Sequence, residues 1–258
     1  MSPASKHRQV LLVCGGRYHD FDFARLELLK LLAEHPSARV SVAENYRDIG
    51  ARLDGCDLLV TYTCDEIPDE SGEAALKQWL GGGHRWFALH GSNSIIQFAS
   101  TRPLKIKTPA DAQIFMGLLG SQFLAHPPIG PYRVEISDPA HPLVAGLESF
   151  DTVDELYLTR TLGELEVLLH CKYRGELEAF EHTDWTDDAD HPVLYLKRTG
   201  AGQVLYLTLG HCRGHHDMQP LTDYYPRVER CSWELPQFYE LLRRGLRWGL
   251  RVDAGASP

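Results

Sequence analysis

The sequence contains no apolar run long enough to span a membrane, and its first residues, 1–8, lack the apolar core of a secretory signal. These two absences predict a cytoplasmic protein with no membrane partner. Basic residues are scattered, and 26 Lys and Arg against 35 Asp and Glu give a net charge of −9. Proteins that bind nucleic acid usually carry a basic patch, so we expect no nucleic-acid partner and favour a neutral small molecule.

The six cysteines show no C-x-x-C spacing, and Cys14 lies within an apolar strand pattern, as reduced buried cysteines often do. A disulfide framework is therefore not expected, although Cys212 and Cys231 flank one loop and could approach each other. The full G-x-G-x-x-G pattern is also absent. We interpret the pair Gly15-Gly16 as a turn, and we expect neither a nucleotide nor a flavin cofactor.

The chain has 258 residues, of which 43% are hydrophobic, and this is enough for one sizeable core. We predict a single domain over 1–258, with a core from about 8 to 250 and short flexible tails. In the first half, apolar runs alternate with amphipathic stretches, which is typical of parallel strands joined by helices. The predicted strands are 10–14, 39–44, 57–62 and 86–89, and the predicted helices are 20–34 and 71–80.

From about residue 130 the pattern changes to strand-like segments separated by turn residues. We predict strands at 132–136, 154–158, 167–171, 192–198 and 203–209, with a hairpin turn at 199–202 and a closing helix at 236–250. The fold class is therefore α/β, with a mostly parallel central sheet flanked by helices and with added strands in the second half.

Polar residues that directly follow strands are the first candidates for a site, because ligands bind beyond the carboxyl ends of strands in open parallel sheets. His19, His90 and His211 each meet this criterion, and His126 and Glu155 are further candidates. Imidazole can carry a proton near neutral pH or ligate a metal, and a nearby carboxylate can tune it or complete a coordination shell. We therefore expect these distant residues to converge at one edge of the sheet.

Each of these residues also has a structural interpretation. A single histidine at a strand end is often a hydrogen-bonded structural group, and Glu155 could be a solvated charge while Asp154 points inward. The long segment 212–234, rich in Tyr, Pro and charge, could be a lid beside His211 or an ordinary packed surface insertion.

Five segments in register resemble the ThuA-like family, which is named for trehalose utilisation, and the resemblance extends over about 8–250. The segments are 15–20 (GGRYHD), 88–92 (ALHGS), 125–127 (AHP), 154–157 (DELY) and 200–211 (GAGQVLYLTLGH). The resemblance implies a flavodoxin-like fold similar to class I glutamine amidotransferases, with His90 near their nucleophilic cysteine and His211 near their catalytic histidine. No cysteine stands in the turn after the fourth predicted strand and no G-x-C-x-G motif occurs, so we reject glutaminase activity.

We therefore predict an enzyme of carbohydrate metabolism that acts on a sugar or keto-sugar. His90, Glu155 and His211 are the predicted catalytic residues, and His19, His126 and His211 are predicted ligands of zinc or another divalent metal, or of the substrate. The segment 212–234 is longer than is common in the family, which leaves the substrate open. The alternative is a non-catalytic saccharide-binding or assembly module, and a homo-oligomer is compatible with either. A redox or flavin protein is a third interpretation, but it lacks a phosphate loop.

Overall fold

The computed structural model describes residues 7–100, 102–109 and 112–252. In these ranges the helices are α1 (Phe21–Ala33), α2 (Ile49–Arg52), α3 (Glu70–Gly81), α4 (Gln113–Leu119) and α5 (Pro236–Leu250). The strands are β1 (Arg8–Gly16), β2 (Ala38–Ala43), β3 (Leu58–Cys64), β4 (Arg85–Leu89), β5 (Gln97–Ala99), β6 (Lys105–Lys107), β7 (Ser121–Ala125), β8 (Gly130–Ile136), β9 (Phe150–Asp154), β10 (Leu158–Thr161), β11 (Glu166–Lys172), β12 (Gly175–Glu176), β13 (Asp184–Trp185), β14 (Asp190–Thr199) and β15 (Gly202–Leu207).

A nine-stranded mixed sheet forms the centre of the molecule, with the strand order β2-β1-β3-β4-β15-β14-β11-β8-β9. The first five of these strands are parallel, and β14, β11, β8 and β9 add to them in antiparallel pairs. This arrangement confirms the predicted α/β fold with a parallel first half and added strands in the second. The carboxyl ends of β1, β3, β4 and β15 therefore meet at one edge.

Two apolar cores, one on each face of the sheet, explain why the central strands read as continuous hydrophobic runs. β3 is buried at every position, and β4 is buried at all but its first residue. Helices α1 and α5 pack on one face, and α3 and α4 pack on the other. α5 begins with a proline in its first turn and buries one stripe against the sheet, as its sequence predicted: Phe238, Leu241, Leu242, Leu246 and Leu250.

Two predicted strands end earlier than their apolar patterns indicated. The strand predicted at 154–158 is wrong, because β9 ends at Asp154, β10 begins at Leu158, and the three residues between them are irregular. The Asp154 carboxylate accepts hydrogen bonds from the backbone N–H groups of Glu155, Gly210 and His211, which turns the chain out of the strand. Strand β15 stops at Leu207, so His211 lies four residues beyond the strand end rather than at it.

Other features of the prediction were incomplete. The sequence patterns missed α2, α4, β7 and the strands β5, β6, β12 and β13, and these last four, of two or three residues each, are too short to show a period. The predicted flexible tails fall almost wholly outside the described residues. All six cysteines are free thiols. Over the described part of the chain, no helix is long and apolar enough to cross a membrane.

Candidate active site

Four buried side chains from four separate segments meet at the carboxyl edge of the parallel strands. His19 follows β1, His90 follows β4, Glu155 lies between β9 and β10, and His211 lies beyond β15. Their exposed fractions are 4%, 0%, 5% and 0%, respectively. One ligand atom from each residue falls within 4.8 Å of the others, so this His/Glu cluster could hold a metal ion.

His90 is placed by a sharp turn out of β4. Its φ is +40°, in the left-handed region that a side chain rarely adopts. The next residue must be small, because a Cβ on Gly91 would lie 2.6 Å from the carbonyl oxygen of Thr63. The turn therefore holds the His90 ring at the end of its strand, as the sequence predicted.

The carboxylate of Glu155 lies among the imidazoles. Its Oε2 is 3.3 Å from His211 Nδ1 and 3.6 Å from His90 Nε2, while its Oε1 is 3.5 Å from His126 Nε2. His90 Nε2 in turn is 3.0 Å from His19 Nε2. Glu155, and not its neighbour Asp154, is therefore the carboxylate of the cluster.

The second nitrogen of each imidazole in the cluster lies against an oxygen acceptor. His90 Nδ1 is 2.8 Å from the carbonyl oxygen of Thr208, and His19 Nδ1 is 3.2 Å from that of Arg17. His211 Nε2 is 3.1 Å from a carboxylate oxygen of Glu229. Because these oxygens only accept, each facing nitrogen must carry the hydrogen, and in a neutral ring the lone pair then points into the cluster.

The members of the cluster differ in how their surroundings shift their pKa values. Burial alone raises the pKa of Glu155, but the charges of His126 and His211 outweigh it and keep that pKa well below its usual range. Burial lowers the pKa of His211, but Glu155 and Glu229 outweigh it and raise the pKa to about 9. Burial, together with the charges of His90 and His211, lowers the pKa of His19 far enough to keep that ring neutral.

His126 lies on the other side of Glu155, and its side chain is 28% exposed. It is not one of the four converging residues, and its Nδ1 donates to the carbonyl oxygen of Pro127 at 2.8 Å. Together with Glu155 and Arg213 it forms the polar end of a cavity of about 110 Å³. The remaining wall is largely apolar and includes Tyr18, Ile96, Phe98, Ile106, Phe123, Tyr157, Met218 and Leu221.

Sequence reasoning missed Arg213, Tyr225 and Glu229, which support the cluster from the segment 212–234. Arg213 Nη1 donates to Glu229 Oε2 at 3.0 Å, and its Nη2 lies 3.9 Å from Glu155 Oε1. The Tyr225 hydroxyl donates to Glu229 Oε1 at 2.9 Å. The unusual length and charge of the segment were noted, but no periodic pattern indicated which of its carboxylates turns inward.

The comparisons with known proteins identify the family of the chain. The model of the ThuA family, described as trehalose utilisation, matches residues 9–224. The chain belongs to the ThuA family. This membership covers most of the chain and points to carbohydrate utilisation in general. No curated protein matched the chain.

Solved structures support the ThuA fold. A putative ThuA-like protein from Bacteroides uniformis superposes with a TM-score of 0.68 at 16% identity, covering 100% of this chain and 98% of the other. One from Parabacteroides merdae gives 0.64 at 16%, covering 98% and 93%. A β-galactosidase from Bacillus circulans sp. alkalophilus gives 0.55 at 10%, with 98% of this chain matching 32% of that one. At such identities the likeness shows the fold alone.

Proposed function

We propose that this ThuA protein is an enzyme of carbohydrate metabolism that holds one divalent metal ion with His19, His90, His211 and Glu155. The observation that carries the proposal is the 3.0 Å separation of the His19 and His90 Nε2 atoms, although both Nδ1 atoms face carbonyl oxygens. Two imidazole lone pairs repel each other at this distance unless a proton or a metal ion lies between them, and of these two only a metal ion would also engage the nearby ligand atoms of Glu155 and His211. Three imidazoles and a carboxylate suit zinc and also other first-row divalent ions.

The donor atoms themselves support the fit. Among the described residues, His211 Nδ1 finds no hydrogen-bond partner of good geometry, although it is buried. A buried nitrogen without a partner is costly, and a metal ion would satisfy it. Each of the three rings donates a hydrogen bond from its outer nitrogen to an oxygen acceptor. Metal-binding histidines in proteins are commonly held in the same way.

A bound divalent ion would supply a Lewis acid that polarises a hydroxyl or carbonyl oxygen of the substrate. In this proposal His90, His211 and Glu155 matter for catalysis as ligands, and His126 takes the proton-transfer role. His126 lines the cavity, where its imidazole can hold or deliver a proton, and Glu155 Oε1, 3.5 Å from its Nε2, would orient the ring. Arg213 at the same end would stabilise negative charge on a substrate oxygen.

The cavity favours a sugar or keto-sugar as the substrate. Its aromatic and aliphatic wall offers surface for the C–H face of a sugar ring, and His126, Glu155 and Arg213 supply groups that can bind the oxygen atoms or hydroxyl groups of a sugar. The likeness to the β-galactosidase does not support a sugar substrate, because it shows only a shared fold. A cytoplasmic location remains a prediction from the sequence, and a homo-oligomer is compatible with this function.

Elemental analysis of untagged protein that has never met a nickel column tests the metal. We expect close to one equivalent of zinc or another divalent ion in the wild type and little in His90→Ala. The matched control is His7→Ala, an exposed histidine just before the amino end of β1. Wild-type protein that takes up no metal after incubation with zinc would contradict the proposal.

The alternative, a saccharide-binding protein without turnover, draws on the same cavity. Thermal-shift screening with sugars and keto-sugars, followed by product analysis, separates the two functions. Stabilisation with conversion supports the enzyme, and stabilisation without conversion supports the binding protein.

A further inference from the structure

Glu229 is a largely covered carboxylate that contacts the His/Glu cluster at the outer nitrogen of the His211 ring. Its side chain is 13% exposed, and its Oε2 lies 3.1 Å from His211 Nε2. The backbone brings it there: the N–H groups of Arg213 and Glu229 each donate to the other's carbonyl oxygen, at 2.9 and 2.8 Å. This pair closes the loop 214–228 and fixes where the Glu229 side chain starts.

The other contacts of Glu229 engage both of its carboxylate oxygens. Oε2 also accepts from Arg213 Nη1 at 3.0 Å, and Oε1 accepts from the Tyr225 hydroxyl at 2.9 Å. A carboxylate that accepts three hydrogen bonds is fixed in place, and it faces the side of the His211 ring away from Glu155.

A neutral His211 ring carries one N–H hydrogen, and two carboxylates compete to accept it. Nε2 faces Glu229, and Nδ1 lies 3.3 Å from Glu155 Oε2, so either carboxylate could accept it. The well-placed bond to Glu229 favours the hydrogen on Nε2, since Nδ1 lacks a hydrogen bond of good geometry among the described residues. That tautomer leaves the Nδ1 lone pair directed at the cluster.

We infer that Glu229 is a positioning residue, which keeps the hydrogen of His211 on Nε2 and so presents Nδ1 as a ligand to the metal site. The inference rests on the proposed function for its consequence, but the tautomer itself can be measured without a metal. Without Glu229, the hydrogen would move to Nδ1 and form a hydrogen bond with Glu155 Oε2. Nδ1 could then no longer ligate a metal ion, and Oε2 would be occupied by the hydrogen bond.

The test compares Glu229→Leu, which has a similar volume and no acceptor, with the wild type. In the metal-free proteins, at a pH where the ring is neutral, long-range ¹H–¹⁵N spectra identify the protonated nitrogen of His211, assigned by its absence in His211→Gln. We expect Nε2–H in the wild type and Nδ1–H in Glu229→Leu. Zinc affinity, measured by competition with a chelator, should fall about 10- to 100-fold in the variant.

Tyr225→Phe is the matched control, because it removes a hydrogen bond from Glu229 but leaves the contact with His211. It should keep the wild-type tautomer and zinc affinity within about twofold. Glu229→Gln, whose amide oxygen still accepts, should restore part of both, and Glu229→Ala, which also lacks an acceptor, serves if the leucine variant does not fold. An unchanged tautomer in Glu229→Leu or, if it does not fold, in Glu229→Ala would overturn the inference. Wild-type protein that binds no zinc would instead refute the metal proposal, and the spectra would still decide the role of Glu229.

Discussion

Asp154 and Glu155 are neighbours in the chain, yet their carboxylates bind different partners. Asp154 accepts backbone hydrogen bonds from Gly210 at 2.8 Å and His211 at 3.0 Å, whereas Glu155 faces imidazole rings. The first carboxylate fixes the loop that carries His211, and the second contributes to the cluster itself. One residue therefore serves the fold and the next serves the site.

This division predicts opposite results for two substitutions. Asp154→Ala removes the acceptor of the backbone N–H groups of Glu155, Gly210 and His211 and should lower the free energy of unfolding by about 2–3 kcal/mol. Glu155→Gln should lower the free energy of unfolding of the metal-free protein by less than this, but it should abolish most metal binding. Urea denaturation and elemental analysis of both variants check this. Equal loss of stability in the two variants would contradict the division.

Removal of the metal should destabilise the wild type. A ligand that binds only the folded state stabilises it by about 2.7 kcal/mol at one hundred times its Kd. We expect EDTA to lower the Tm of the wild type and added zinc to restore it. In His19→Ala neither treatment should move the Tm, because the remaining donors bind weakly. A His19→Ala protein with the wild-type response to zinc would show that His19 is not a ligand.

The sequence predicted which side chains converge better than it predicted the ends of some strands. His19 and His90 follow strands whose apolar runs are unmistakable, so the topology of a parallel sheet already brought them together. His211 was found for the same reason, although its strand ends four residues earlier. The strand that was predicted through Glu155 failed because the Asp154 carboxylate captures distant backbone groups, and such long-range hydrogen bonds leave no local pattern.

The contact of Glu229 with His211 could not be predicted from the sequence for a related reason. It lies at the far end of a loop, 18 residues beyond the His211 ring that it contacts. Loop carboxylates have no periodicity, and only the backbone pairing of Arg213 with Glu229 places this one. His126, in contrast, was found, but the sequence could not tell that it would lie across Glu155 from the other rings.

The position of His126 predicts a variant that retains the metal but loses activity. Because His126 lines the cavity and is not one of the four converging residues, His126→Asn should keep the wild-type metal content. Turnover of the sugar identified by screening should fall about 10²- to 10⁴-fold, as expected for a lost general acid or base. Steady-state kinetics should place the loss mainly in kcat. Loss of the metal from His126→Asn would instead make it a ligand.

An ion pair far from the site should add a small pH-dependent contribution to stability. Arg243 on α5 donates to both carboxylate oxygens of Glu34 at the end of α1, with distances of 2.8 to 3.1 Å. These hydrogen bonds lower the pKa of Glu34 below its ordinary value of 4.5. A lowered pKa in the folded state gives stability that is present above the ordinary value and is lost as the pH falls through the folded one.

We therefore expect Glu34→Gln to be less stable than the wild type at pH 7, with a smaller difference in the free energy of unfolding at pH 3. Both groups are partly exposed, so the difference at pH 7 should be within about 1 kcal/mol. Urea denaturation at the two pH values measures it, with the exposed Glu178→Gln as a control that should show no such difference. An equal gap between Glu34→Gln and the wild type at both pH values would mean that packing, and not charge, links α1 to α5 at this point.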